Sequence, residues 1–105
     1  MKIATGKTHR GFALGEFIDL YGARCSIQKS SLATDDAIWL GVDDADPRIM
    51  ASQAEQHGVH TEETTGWVPY PILEAVNLNT RMHINREQVA ALLPILQKFV
   101  ETGEI

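Results

Sequence analysis

From Val76 to Asn85 the chain alternates. Val76, Leu78, Thr80, Met82 and Ile84 fall on one side, and Asn77, Asn79, Arg81, His83 and Asn85 on the other. A period of two predicts a strand with one buried face. The apolar side is ordinary. The polar side holds no Lys, Glu or Ser, the usual residues of a solvated face, so it reads either as an exposed edge or as the wall of a polar ligand site. The pattern then changes period. Val89, Leu92, Leu93, Leu96, Phe99 and Val100 form an amphipathic stripe, which predicts a helix. Asn85 is placed to cap it, with Gln88 three residues on, and Gly103 marks its exit. Pro94 removes one backbone bond and is expected to kink it.

Upstream, Phe12 to Tyr21 reads as a strand closed by the turn Tyr21-Gly22-Ala23-Arg24. Arg24 to Ser31 alternates again, with Cys25 and Ile27 inward and Arg24, Ser26, Gln28 and Ser30 outward, so the two segments predict an antiparallel hairpin. Ala37 to Val42 is an apolar run of strand length, expected near the centre of the sheet. Asp43 to Pro47 is a turn. Ile49 to Glu55 fits a strand or a single helical turn and leans towards strand, and His57 to Gly66 reads as a hairpin tip. Trp67 to Ile72 carries Pro69 and Pro71, which confines it to an edge. The expected fold is α+β: five or six antiparallel strands in a small sheet, with a kinked C-terminal helix packed on it. Exposed edges and the Trp-Pro-Tyr-Pro strip favour a homodimer or larger assembly.

Length and charge narrow the class. The 105 residues suit a single domain over residues 11–105. Residues 1–10 carry Lys2, Lys7 and Arg10 without an apolar run behind them, so they are expected to be a flexible N-terminus and not a signal peptide. A net charge of −5 disfavours DNA or RNA as partner, since backbone binding needs a basic patch. No apolar run is long enough for a membrane span. One cysteine, Cys25, precludes an intrachain disulfide and fits a cytoplasmic location.

Few residues suggest catalysis. His57 and His60 lack the third and fourth ligands of a zinc site. The Asp43, Asp44, Asp46 cluster lacks the remaining ligands of a calcium loop. Cys25 sits on an inward strand face and reads as a structural thiol. Ser30 and Ser31 have no evident histidine and carboxylate frame, and no phosphate-binding glycine loop is present. No metal, cofactor or catalytic residue is therefore expected. Binding groups remain. Arg81 can make a two-pronged contact to phosphate, and its neighbours Asn77, Asn79 and His83 can meet ribose hydroxyls or base edges. Arg24, Gln28, Lys29, Ser30 and Ser31 form a second polar strip, and Trp39, Trp67 and Tyr70 offer rings for stacking. Of these, Arg81, Asn77, Asn79, Arg24, Gln28 and Trp39 are taken as the ligand-binding candidates.

Three segments carry a resemblance. Asp19 to Gly41 (DLYGARCSIQKSSLATDDAIWLG), Gly66 to Ile72 (GWVPYPI) and Thr80 to Gln88 (TRMHINREQ), together with the tail from Leu92, cover most of the chain. They resemble small phage and prophage proteins of the first family of phage Thoeris anti-defence proteins. The resemblance implies a non-enzymatic signal sponge. Such proteins bind cyclic ADP-ribose isomers made by a bacterial TIR immune sensor and hold them intact. Their pockets lie at a dimer interface, with assembly up to hexamers, and some members bind cyclic trinucleotides at a separate site. Carried to this chain, Arg81 and Met82 would line the cyclic ADP-ribose pocket in the cytoplasm of an infected or lysogenic bacterium. The stretch from Asp43 to Gly66 reads as an elaboration of the family pattern. Two rivals stand beside the sponge. One is an acidic phage protein that inhibits a host defence protein by direct binding. The other is an enzyme that degrades a cyclic nucleotide.

Overall fold

A computed structural model describes residues 1–105. The fold is α+β, with seven strands in two antiparallel sheets and a long C-terminal helix. The strands are β1 (Ala4–Lys7), β2 (Ala13–Ile18), β3 (Arg24–Lys29), β4 (Ala37–Val42), β5 (Arg48–Met50), β6 (Trp67–Pro69) and β7 (Met82–Asn85). Helix α1 is a single turn (Ala51–Ala54), continued by a 3-10 turn (Glu55–His57), and α2 spans Arg86–Thr102. Where one domain is expected, the chain divides into two compact units, Met1–Asp43 with Thr80–Ile105, and Asp44–Asn79.

The first unit is a five-stranded sheet in the order β1-β2-β3-β4-β7, followed by α2. Residues expected to be a flexible tail supply an edge strand instead. Ala4–Lys7 pairs with β2 from Ala4↔Glu16 to Lys7↔Ala13, satisfying backbone groups that the β2 edge would otherwise leave to water. The predicted β2–β3 hairpin is present. Asp19 Oδ1 accepts from the N–H groups of Tyr21 and Ala23, and Gly22 takes φ +86° in the turn.

The register decides what each face of this sheet carries. Gln28, Trp39 and His83 form one cross-strand row, and Ile27, Leu40 and Met82 form the next row on the opposite face. Lys29, Ile38 and Ile84 extend that second, largely apolar face. A slip of one residue would exchange the two sets.

The strand expected over Val76–Ile84 is shorter. Only Met82–Asn85 pairs with β4. Asn77 folds its side chain back to accept from the Asn79 N–H at 2.9 Å. That local turn competes with a ladder, so the polar–apolar alternation there does not come from a strand.

Asn85 caps α2 as expected. Its Oδ1 accepts from the Gln88 N–H, and Gln88 Oε1 accepts from the Asn85 N–H, both at 2.9 Å. Gly103 closes the helix at φ +76°, donating to the Phe99 carbonyl. The helix continues through Pro94. Asn85→Ala is expected to cost about 1 kcal/mol by removing the cap, read as a lower urea midpoint. Although α2 lines a groove with Ile38 and Ile84 at its first turns, none of its residues is buried. The expectation of a helix sealed against the sheet is thus met only at its start.

The second unit holds β5 paired with β6, α1 and the 3-10 turn. Ala51, Ala54, Val59 and Val68 form its small core, with Ile49 packed against them. The stretch Ile49–Glu55, expected as a strand, divides after Met50 between strand and helix. Ala51 and Ala54, three apart, can both face the core only in a helical turn.

Candidate functional site

The polar face of the five-stranded sheet gathers more chemistry than any other surface of the first unit. Strand β3 places Ser26 and Gln28 on it, β4 places Trp39, and β7 places His83. Arg81 precedes β7 and reaches the same face. Its Nη1 donates to Gln28 Oε1 at 3.0 Å and lies 3.5 Å from Ser26 Oγ. Ser26 Oγ in turn donates to Asp43 Oδ1. The guanidinium carbon stands 5.7 Å from the centre of the Trp39 ring, within cation–π range. His83 stacks on Trp39, with ring centres 3.9 Å apart and planes 4° from parallel. His83 Nε2 is also 2.8 Å from Ser30 Oγ.

The result is a braced assembly of cation, amide and two aromatic rings. Gln28 is held with its carbonyl towards Arg81, which turns its N–H₂ group elsewhere. The His83 ring is held on one face by Trp39 and at its Nε2 edge by Ser30. Such bracing lowers the conformational entropy that a ligand would otherwise have to remove on binding.

Gly41 explains how Arg81 comes so near. It pairs with Ser26 in the ladder and has φ +148°. A Cβ on it would lie 2.9 Å from Arg81 Cα and 3.3 Å from the Thr80 carbonyl oxygen. The segment leading into β7 therefore crosses closely over β4, where only glycine leaves room. The Thr80 hydroxyl fastens it there by donating to the Val42 carbonyl at 3.2 Å.

Comparison with protein-family models, with curated proteins and with solved structures returned no match.

Of the residues expected in a ligand site, Arg81, Gln28 and Trp39 come together. Arg24 shares their strand face but lies at the far end of β3, opposite Ile18. There it lines a separate depression of about 520 Å³ with Lys2, Glu16, Phe17 and Cys25. Met82 belongs to the opposite face, beside Leu40, because adjacent strand residues point to opposite sides. Asn77 and Asn79 lie in the second unit and not on the strand. The expected row of Asn77, Asn79, Arg81 and His83 therefore does not exist as a row on one strand.

Ser30 belonged to the expected second polar strip, whereas Ser26, Asp43 and Gly41 are members that the sequence did not single out. Their signal was weak: a period of two in β3, and a glycine inside the otherwise apolar β4, which stands next to the edge strand β7 and not at the centre of the sheet. Ser30 is not presented as a nucleophile. It is buried, and its hydroxyl accepts from the Leu32 N–H at 3.1 Å while facing His83. Cys25 is buried on the other face, its Sγ 3.6 Å from the Ala23 carbonyl. Burial raises the thiol pKa, the Asp19 and Asp43 carboxylates raise it further, and a backbone hydrogen bond at Asp19 opposes them. At neutral pH the group stays a thiol and a weak nucleophile. No three His, Cys, Asp or Glu side chains are grouped as a metal site would need. No helix is long and apolar enough to cross a membrane.

Proposed function

We propose that the protein binds and sequesters a cyclic ADP-ribose-type nucleotide signal without degrading it. The observation that carries this reading is the cluster of Arg81, Gln28, Trp39 and His83 on one sheet face. A dinucleotide-like ring of this class offers a pyrophosphate, ribose hydroxyls and a purine. A guanidinium suits the first, an amide the second, and flat aromatic surface the third. The resemblance of the Thr80–Gln88 and Asp19–Gly41 segments to phage anti-defence proteins points the same way. On this reading the protein works in the cytoplasm of an infected or lysogenic bacterium. It acts as a homodimer or larger assembly, up to a hexamer, and keeps the TIR-made signal from its effector. Holding the ligand intact requires no catalytic group.

The test is direct. Purified protein is incubated with extract from cells in which a TIR sensor is active, washed, and heated, and the released material is read by mass spectrometry. Recovery of an unmodified cyclic ADP-ribose isomer is expected. Turnover of the ligand under native conditions would establish an enzyme instead. Retention of a host protein with no small molecule would establish a protein-binding inhibitor.

A further inference from the structure

Ser30 and His83 share a hydrogen bond whose direction fixes what the histidine can offer a ligand. Ser30 directly follows β3 and is buried, with 4% of its surface exposed. A serine hydroxyl has one proton to donate and two lone pairs that accept. The Leu32 N–H fills one lone pair at 3.1 Å. The remaining contact of Ser30 Oγ is His83 Nε2 at 2.8 Å, and the hydroxyl makes no third hydrogen bond. Were Nε2 to carry a proton and donate it, the Ser30 proton would be left buried without an acceptor. Folded proteins avoid such orphans, and no buried side-chain polar atom here lacks a partner. Ser30 Oγ–H therefore donates, and Nε2 accepts. In a neutral imidazole the proton then sits on Nδ1.

Nδ1 has no hydrogen-bond partner in the fold, and His83 is exposed. Its N–H lies in the plane of the ring. That ring is parallel to Trp39 to within 4°, so the donor cannot meet a base stacked on the same two rings. It meets a group that arrives at the ring edge. The donors also run in one direction, from Leu32 N–H to Ser30 O–H and out through His83 Nδ1–H, each polarising the next.

We infer that Ser30 is a positioning residue that holds His83 as an Nδ1–H donor, and that this donor takes a ribose or phosphate oxygen of the ligand. The ligand group rests on the reading of this face as a nucleotide site, whereas the tautomer does not. The same arrangement disarms the ring as a general base. Its lone pair is occupied by Ser30 and its outward nitrogen already carries a proton, so it cannot take one from a water attacking the ligand. This histidine helps to hold a nucleotide and gives no help in cleaving it.

Ring nitrogen shifts test the tautomer in the full chain without ligand. Isotopically labelled protein is read by long-range proton–nitrogen correlation at mildly alkaline pH, where imidazoles are neutral. His83→Phe identifies the His83 signals. Nδ1 is expected at the shift of a protonated ring nitrogen and Nε2 at that of an unprotonated one. Ser30→Ala is expected to release the ring and bring the two shifts closer together. Ser30→Thr, which returns the hydroxyl, is expected to restore the parental pattern. A protonated Nε2 in the parent chain, or a pattern untouched by Ser30→Ala, would overturn the inference. The parent spectrum decides the tautomer even where a variant folds poorly.

Binding is measured separately, by calorimetric titration with cyclic ADP-ribose. Ser30→Ala is expected to weaken it by about 3- to 10-fold, the net worth of one hydrogen bond. In a His83→Phe background the same substitution is expected to weaken it no further, because Ser30 acts through the histidine. Parental affinity in Ser30→Ala would overturn the role of the pair in the site while the nucleotide reading stands. A parent chain with the expected ring shifts that binds no cyclic ADP-ribose would overturn the nucleotide reading while the tautomer stands.

Discussion

Gly41→Ala is expected to destabilise the protein by about 2–4 kcal/mol, the sum of a strained backbone and an overpacked contact. Two independent facts meet at this residue. Its φ of +148° is one that side chains with a Cβ rarely adopt. The added methyl carbon would also stand 2.9 Å from Arg81 Cα. The clash is with backbone, so no side-chain rotation relieves it. Relief requires the Thr80–Arg81 segment to lift from β4, which breaks the bond from the Thr80 hydroxyl to the Val42 carbonyl. Urea unfolding should show a lower midpoint with little change in slope. Gly6 is the control. It has no positive φ, and nothing lies within 4 Å of where its Cβ would be. Gly6→Ala is expected to change stability by less than about 0.5 kcal/mol, the usual range for a surface substitution. Equal effects at the two glycines would show that the close approach at Gly41 does not matter.

Arg81→Ala is expected to weaken binding of cyclic ADP-ribose isomers by about 10- to 100-fold, the loss of charge-assisted hydrogen bonds worth roughly 1.5–3 kcal/mol. Arg81→Lys should restore little of this. Lysine keeps the charge but not the planar fork that spans two oxygens, and it cannot lie over the Trp39 ring in the same way. The folded state should suffer less. Ser26 keeps its bond to Asp43 when Arg81 is removed, so a cost of about 1 kcal/mol is expected, the net worth of a typical hydrogen bond. Calorimetric titration with the purified ligand separates the two effects. Unchanged affinity in Arg81→Ala would remove the arginine from the site and with it the reading of the polar sheet face.

Local signals made several elements legible. Strand β4 was readable from a short apolar run, and the β2–β3 hairpin from an apolar segment and an alternating one on either side of a glycine turn. The cap on α2 followed from Asn85 and Gln88, because a capping box needs only four consecutive residues. Errors arose where a local pattern had two physical explanations. Val76 to Thr80 alternates as a strand would, yet Asn77 meets its own backbone need within a turn. Ala4–Lys7 has little apolar character, so the backbone pairing that orders it leaves no trace in hydropathy. The amphipathic stripe of α2 was correctly seen, but amphipathicity says only that a face wants cover and not what covers it.

The ligand-site candidates divide in the same way. Side-chain chemistry was enough to single out Arg81, Gln28 and Trp39, whose capacities are intrinsic to guanidinium, amide and indole. Which of them meet was a matter of register. Pairing β3 with β4 and β4 with β7 places Gln28, Trp39 and His83 in one row and sends Met82 to the other face. Arg81 depends on a crossing over Gly41, a contact between positions forty residues apart. By itself, then, the sequence determined the fold class, the helix with its cap, and the residue types able to hold a polar anionic ligand. Tertiary structure alone decided which residues share a face, because that depends on strand register and on backbone clearance at one glycine.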